Sequence, residues 1–121
     1  MPDAERVQSY RDLRVWNIAV ELTLEVYRIT ESFPASERFG LVSQLRRAAV
    51  SVASNIAEGH ARNTRGEYRN FVSFARASAI EVEVQLFLSE QLGYVQTPTL
   101  IKARDHCSSI SRMLTNLKRA L

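Results

Sequence analysis

Seven arginines fall between Arg38 and Arg76, at positions 38, 46, 47, 62, 65, 69 and 76, and only Glu58 and Glu67 oppose them. That segment carries a net charge of +5, more than the +3 of the whole chain. Arginine presents a planar fork of donors that fits phosphate or carboxylate oxygens and stays charged at any ordinary pH. Arg65, Arg69 and Arg76 recur at spacings of four and seven, so a helix aligns them in one stripe. Such a stripe can follow a phosphate backbone. The competing readings are a solvated face, or pairing with acids on a neighbouring subunit. The candidate nucleic-acid contacts are Arg46, Arg47, Arg62, Arg65, Arg69 and Arg76. Tyr68 lies inside the stripe, where its ring can stack on a base or, more simply, pack in the core.

Arg47 also belongs to a second pattern. Gln44, Arg47, Ser51, Asn55 and Glu58 follow one another at three or four residues and share one helix face. Turned inward or against a second subunit, they need hydrogen-bond partners to be tolerated. Glu81 on the next helix is a candidate partner. We read Gln44, Arg47, Ser51, Asn55, Glu58 and Glu81 as a structural polar network, with a ligand site as the alternative.

Other chemistry does not assemble. His60, His106 and Cys107 are the soft-ligand candidates, and the adjacent His106 and Cys107 diverge by roughly 100° on a helix. Cys107 falls in an apolar rhythm and reads as a small buried hydrophobe. His60 sits beside a helix C-terminus, where a partly charged imidazole is favoured. Glu81 and Glu83 diverge as i and i+2, and no Glu-x-x-His pair, phosphate-binding glycine loop or nucleophile elbow occurs. The expectation is a protein that is not an enzyme and needs no cofactor or metal.

The elements that carry these residues are helices. With 121 residues, four glycines and three prolines, the chain suits one helical domain better than an all-β fold. A lone cysteine fits a reducing compartment, and no run approaches the ~18 apolar residues of a membrane span. A soluble, cytoplasmic protein is expected. Residues 1–11 are expected to be a flexible N-terminal segment and 12–121 a bundle domain.

Four helices are predicted. The first runs from Leu13 to Glu31, capped by Asp12 and ended by Phe33-Pro34. It has two apolar stripes, Val15-Ile18-Leu22-Val26-Ile29 and Leu13-Trp16-Val20-Leu24-Tyr27, which suggests burial on two sides. The second runs from Ser36 to Glu58, with Gly59 as its stop and Leu41, Leu45, Ala48, Val52 and Ile56 facing the core. The third starts at the capping box Thr64-x-x-Glu67 and ends at Gly93, with Tyr68, Val72, Ala75, Ala79, Val82 and Leu86 inward. The fourth opens with Thr97 as cap and Pro98 in the first turn. Its Leu100, Ala103, Cys107, Ile110, Leu114, Leu117 and Leu121 repeat in a 3-4 rhythm. Short loops between long helices predict an all-α, antiparallel, up-down-up-down four-helix bundle.

A combination of residues spread along nearly the whole chain resembles a known bacterial family. Its marks are Asp12-Leu13, Val15-Trp16, Phe33-Pro34, Glu37, Phe39-Gly40-Leu41, Gln44, Arg46-Arg47-Ala48-Ala49, Ser51-Val52, Asn55-Ile56-Ala57-Glu58-Gly59 and Arg62. Glu67, Phe71, Ala75, Ser78 and Glu81 continue it. The family is that of four-helix-bundle proteins encoded in intervening sequences of 23S rRNA genes, also called the S23 ribosomal protein family. Ala77 departs from it, since glycine often stands there. The resemblance implies an antiparallel bundle assembled as a homopentameric ring. The family is similar to the accessory variability protein of diversity-generating retroelements, a basic pentamer that binds nucleic acid and a reverse transcriptase. The partners implied are therefore further copies of the chain, RNA or DNA, and a partner protein, with no membrane. The resemblance implies no catalytic residues.

Overall fold

The computed structural model describes residues 7–121. It contains four long helices: α1, Arg14–Thr30; α2, Leu41–His60; α3, Arg65–Gln91; and α4, Thr97–Ala120. No strand occurs among the described residues. Each helix packs against the next, and α4 closes the ring of helices against α1.

Pairs of side chains fix the antiparallel sense. On α2 and α3, Gly59 meets Phe71, Ser51 meets Ser78, and Gln44 meets Gln85. On α1 and α2, Arg46 reaches Thr30 while Thr23 donates to the Ala49 carbonyl. On α3 and α4, Glu90 meets Arg104 while Arg69 reaches Leu121.

The predicted core stripes meet in the centre, except that Leu41 is only partly buried and its neighbour Val42 enters the core instead. Leu22, Leu45, Ile56, Leu86, Leu100, Ile110 and Leu114 are all fully buried. The first stripe of α1 supplies Val15, Leu22, Val26 and Ile29 to this core, with Ile18 packed at its edge. The second stripe ends outside: Leu24 and Tyr27 are exposed.

Several helix ends differ from their sequence expectations. Asp12 does not cap α1. It closes a capping box with Ser9 around a short 3-10 turn, Tyr10–Asp12, because the carboxylate reaches back to the Ser9 amide at 3.2 Å. Of the expected flexible segment 1–11, residues 1–6 lie outside the described residues, and Ser9–Arg11 enter this capped turn. The second helix does not begin at Ser36. Ala35–Glu37 form a separate 3-10 turn behind Pro34, and α2 starts at Leu41. Glu37 joins the two: its carboxylate accepts from the Leu41 amide at 3.2 Å and from the Tyr94 hydroxyl at 2.8 Å.

Gly59 is not the stop of α2. It is buried inside the helix, which continues to His60. A Cβ at Gly59 would lie 2.9 Å from Phe71 Cβ and 3.1 Å from the Tyr68 ring, so glycine serves the close approach of α2 and α3. Thr64 caps α3 as expected by accepting from the Glu67 amide at 3.1 Å, but the Glu67 carboxylate meets the Thr64 hydroxyl instead of its amide. At the other end, Gly93 adopts φ 80°, and the Gly93 and Tyr94 amides donate to Glu90 and Ser89 in a Schellman closure. Thr97 is already helical, with Gln96 at the cap position. Its hydroxyl donates to Glu90 at 2.6 Å. Arg104 bonds the same carboxylate at 2.9 Å, and these bonds hold the Glu90 carboxyl below its usual pKa.

Cys107 is almost completely buried, and burial, aided by the charge of Glu83, pushes its thiol up to about 12. Native protein at neutral pH should resist alkylation and react only once unfolded; rapid stoichiometric labelling of the native chain would contradict this placement. The glycines offer a paired test by thermal or chemical denaturation. Gly59→Ala should destabilise the fold by about 1–3 kcal/mol through overpacking. Gly66→Ala, where an added Cβ meets nothing within 4 Å, should stabilise it by up to about 1 kcal/mol.

Candidate nucleic-acid interface

The six candidate arginines fall into two groups. Arg62, Arg65, Arg69 and Arg76 occupy the α2–α3 connection and the outer side of α3, all exposed. Arg65, Arg69 and Arg76 span roughly 40° of helix arc and roughly 16 Å along the axis, as their spacing requires. Neither Arg65 nor Arg76 forms an ion pair among the described residues, and Arg69 donates to the backbone oxygen of Leu121. Arg62 is more committed. It bonds Glu58 at 2.7 Å and lies 4.4 Å above the Phe71 ring.

Arg46 and Arg47 lie elsewhere, lining a groove of about 590 Å³ between the end of α1 and the first half of α2. Arg46 is held on three sides. Its Nε donates to the Thr30 hydroxyl at 2.9 Å, its Nη2 to the Tyr27 carbonyl at 3.4 Å, and its guanidinium stacks 4.4 Å above the Tyr27 ring. Arg47 is exposed and unpaired among the described residues. It also borders a second hollow of about 450 Å³ between α2 and α3, shared with Gln44, Ser51, Ser78, Glu81 and Gln85.

That hollow contains most of the expected polar network, but the six residues do not form one network. Asn55 donates to the Ser51 hydroxyl and carbonyl, both at 2.9 Å, and Ser78 donates to the Ser51 hydroxyl at 2.9 Å. Gln85 reaches Gln44 at 3.4 Å. Glu58 turns away to Arg62, and Arg47 and Glu81 share the hollow without an ion pair. The partners that α3 supplies are Ser78 and Gln85, one on each side of Glu81. Their spacing on the same helix face was a readable signal.

Sequence reasoning also missed Arg38, Tyr27 and Phe39, which line the groove with Arg46 and Arg47. Arg38 and Phe39 were legible as an arginine beside an aromatic ring in a helix connection. A further omission is the outer stripe of α3. Ile80, Val84, Phe87 and Leu88 are all exposed on the side opposite Val72, Ala75, Ala79, Val82 and Leu86. A second helical period on α3 was there to be counted, as it was on α1.

Tyr68 is half-buried, packs at the edge of the core, and meets His60 edge-on at 5.9 Å; burial raises its phenol pKa. Among the described residues no three His, Cys, Asp or Glu side chains converge as metal ligands. His106 approaches Glu21 at 3.8 Å while Cys107 points into the core. No helix of the described residues is long and apolar enough to cross a membrane.

This bundle has a solved counterpart. The crystal structure of a protein with unknown function from the S23 ribosomal protein family of Bacteroides thetaiotaomicron VPI-5482 superposes with a TM-score of 0.77. The match covers 86% of this chain and 97% of that one at 20% identity, a likeness that speaks for the fold alone. No curated protein matches the chain. The family model for the 23S rRNA-intervening sequence protein matches residues 11–116, nearly the full helical domain, and the chain belongs to that family.

Proposed function

We propose that this protein is a non-catalytic homo-oligomer that binds nucleic acid, structured RNA before DNA, through its arginine surface. The observation that carries the reading is the exposed stripe of Arg65, Arg69 and Arg76, in which no Asp or Glu side chain pairs with any of the three among the described residues and only Arg69 is engaged, by the Leu121 oxygen. Three guanidiniums on one rigid helix face suit a regularly spaced polyanion. The outer stripe of Ile80, Val84, Phe87 and Leu88 supports self-association, since a contiguous exposed apolar face favours a partner surface. A ring of five is the arrangement that the family resemblance implies. The reducing cytoplasm is the setting proposed for it.

A second reading has its own support. The same apolar stripe suits a scaffold that presents its surface to a partner protein, for example a reverse transcriptase. In that case the arginines serve subunit or partner contacts.

Two measurements separate these readings. Binding to a structured rRNA fragment and to a DNA duplex of equal length, across a salt series, should weaken steeply with salt. Joint replacement of Arg65, Arg69 and Arg76 by Gln should flatten the log–log salt slope by roughly one for each phosphate that these arginines neutralise. An unchanged slope in that variant would remove the stripe from the interface. Val84→Glu should lower the mass in solution by light scattering while keeping full helicity. Unchanged mass with intact RNA binding would assign the α3 stripe to a partner protein.

A further inference from the structure

Within the nucleic-acid reading above, the groove between α1 and α2 has a chemistry of its own. Its lining brings together three guanidiniums, Arg38, Arg46 and Arg47, and two aromatic rings, Tyr27 and Phe39, with no carboxylate among them. Phe39 is 88% exposed, an unusual position for a ring that would gain from burial. Arg38 approaches its face at 5.5 Å, and Arg46 is fixed over Tyr27 at 4.4 Å. Glu31, which borders the adjoining hollow with Arg38 and Arg46, pairs with neither among the described residues. At about 590 Å³ the groove falls within the ~300–1,000 Å³ usual for small-molecule sites.

We infer that this groove binds one unpaired nucleotide of a single strand, its base stacked on Phe39 and its phosphate held by Arg46 and Arg47. Stacking needs a base free of its pair, because bases inside a duplex hide their faces from a protein ring. The bonds to Thr30 and Tyr27 orient the Arg46 guanidinium in advance, so little side-chain freedom remains to be given up on binding. The groove thus adds selection for single-stranded segments to the salt-dependent attraction of α3. Within a folded RNA it would choose loops, bulges and ends.

The test uses the full chain and two fluorescent probes, a ten-nucleotide single-stranded RNA and an RNA duplex of equal length. Phe39→Ala should weaken single-strand binding about tenfold or more, as removal of one stacking platform does, and change duplex binding little. Phe39→Trp should restore the single-strand affinity. The triple Gln variant of Arg65, Arg69 and Arg76 should weaken both probes together. If Phe39→Ala binds the single strand like the wild type while the triple variant does not, the groove proposal falls and the arginine-surface reading survives. Weakening confined to Phe39→Ala would keep the groove and remove α3 from the interface. A wild-type protein that retains neither probe at low salt overturns both. Phe39→Ala protein of lower mass in solution would make the groove an interface between copies, and the inference would fail.

Discussion

The close approach of α2 and α3 is the constraint on which the remaining architecture depends. Gly59 has no room for even one methyl group against Phe71 and Tyr68, and farther along the same two helices Ser51 meets Ser78 beside the buried Ala48. Small side chains let two backbones come together, and packing at that distance tolerates little change in volume. The consequence reaches the surface. Phe71 is seated by the missing side chain at Gly59, and Arg62 lies over the Phe71 ring while pairing with Glu58. The start of α3, with Arg65 and Arg69, is therefore set by the same seam that closes the core.

A seam made of small residues also decides where the large ones go. α3 buries Val72, Val82 and Leu86 inward, yet Phe74, Ile80, Val84, Phe87 and Leu88 remain exposed. Such a helix is apolar on two sides, and only one side is satisfied within the bundle. On α2 Gln44, Arg47 and Ser51 border the hollow beside the seam, where the Ser51–Ser78 hydrogen bond joins the two helices without a charge. Charge is kept at the margins: Arg46 against α1, Arg104 against Glu90 between α4 and α3, and the arginine stripe outside. A buried ion pair would have to overcome the desolvation of both partners, and none occurs among the described residues.

The repeat of apolar residues made the helices, the core stripes and the Thr64 cap readable from sequence. Helix ends were less readable, because local signals had more than one use. Asp12 suited a helix cap but found Ser9 first, and Gly59 suited a helix stop but serves a close contact. Thr97 suited a cap but bonds Glu90 across the turn. The Gly59 and Thr97 outcomes turn on partners that spacing along one helix does not reveal, whereas Ser9-x-x-Asp12 was itself a legible capping-box spacing. The same reason split the arginines. Arg46 and Arg47 share one basic segment with the α3 arginines in sequence, whereas folding places them beside Tyr27 and Phe39, apart from the α3 stripe. Arg38 and Phe39 fall inside the helix expected from Ser36, whereas the chain holds them in the connection before α2, beside Arg46 and Tyr27.

The proposed contact with nucleic acid involves two surfaces, the α3 arginines and the aromatic groove. Ultraviolet crosslinking of the full chain to a uracil-containing RNA with both paired and looped regions, followed by peptide mapping, probes both surfaces at once. Adducts are expected on residues 39–46, which include Phe39 and Arg46, and on residues 66–76 of α3. Folded protein that yields no adduct, or adducts confined to α4, would overturn both contacts.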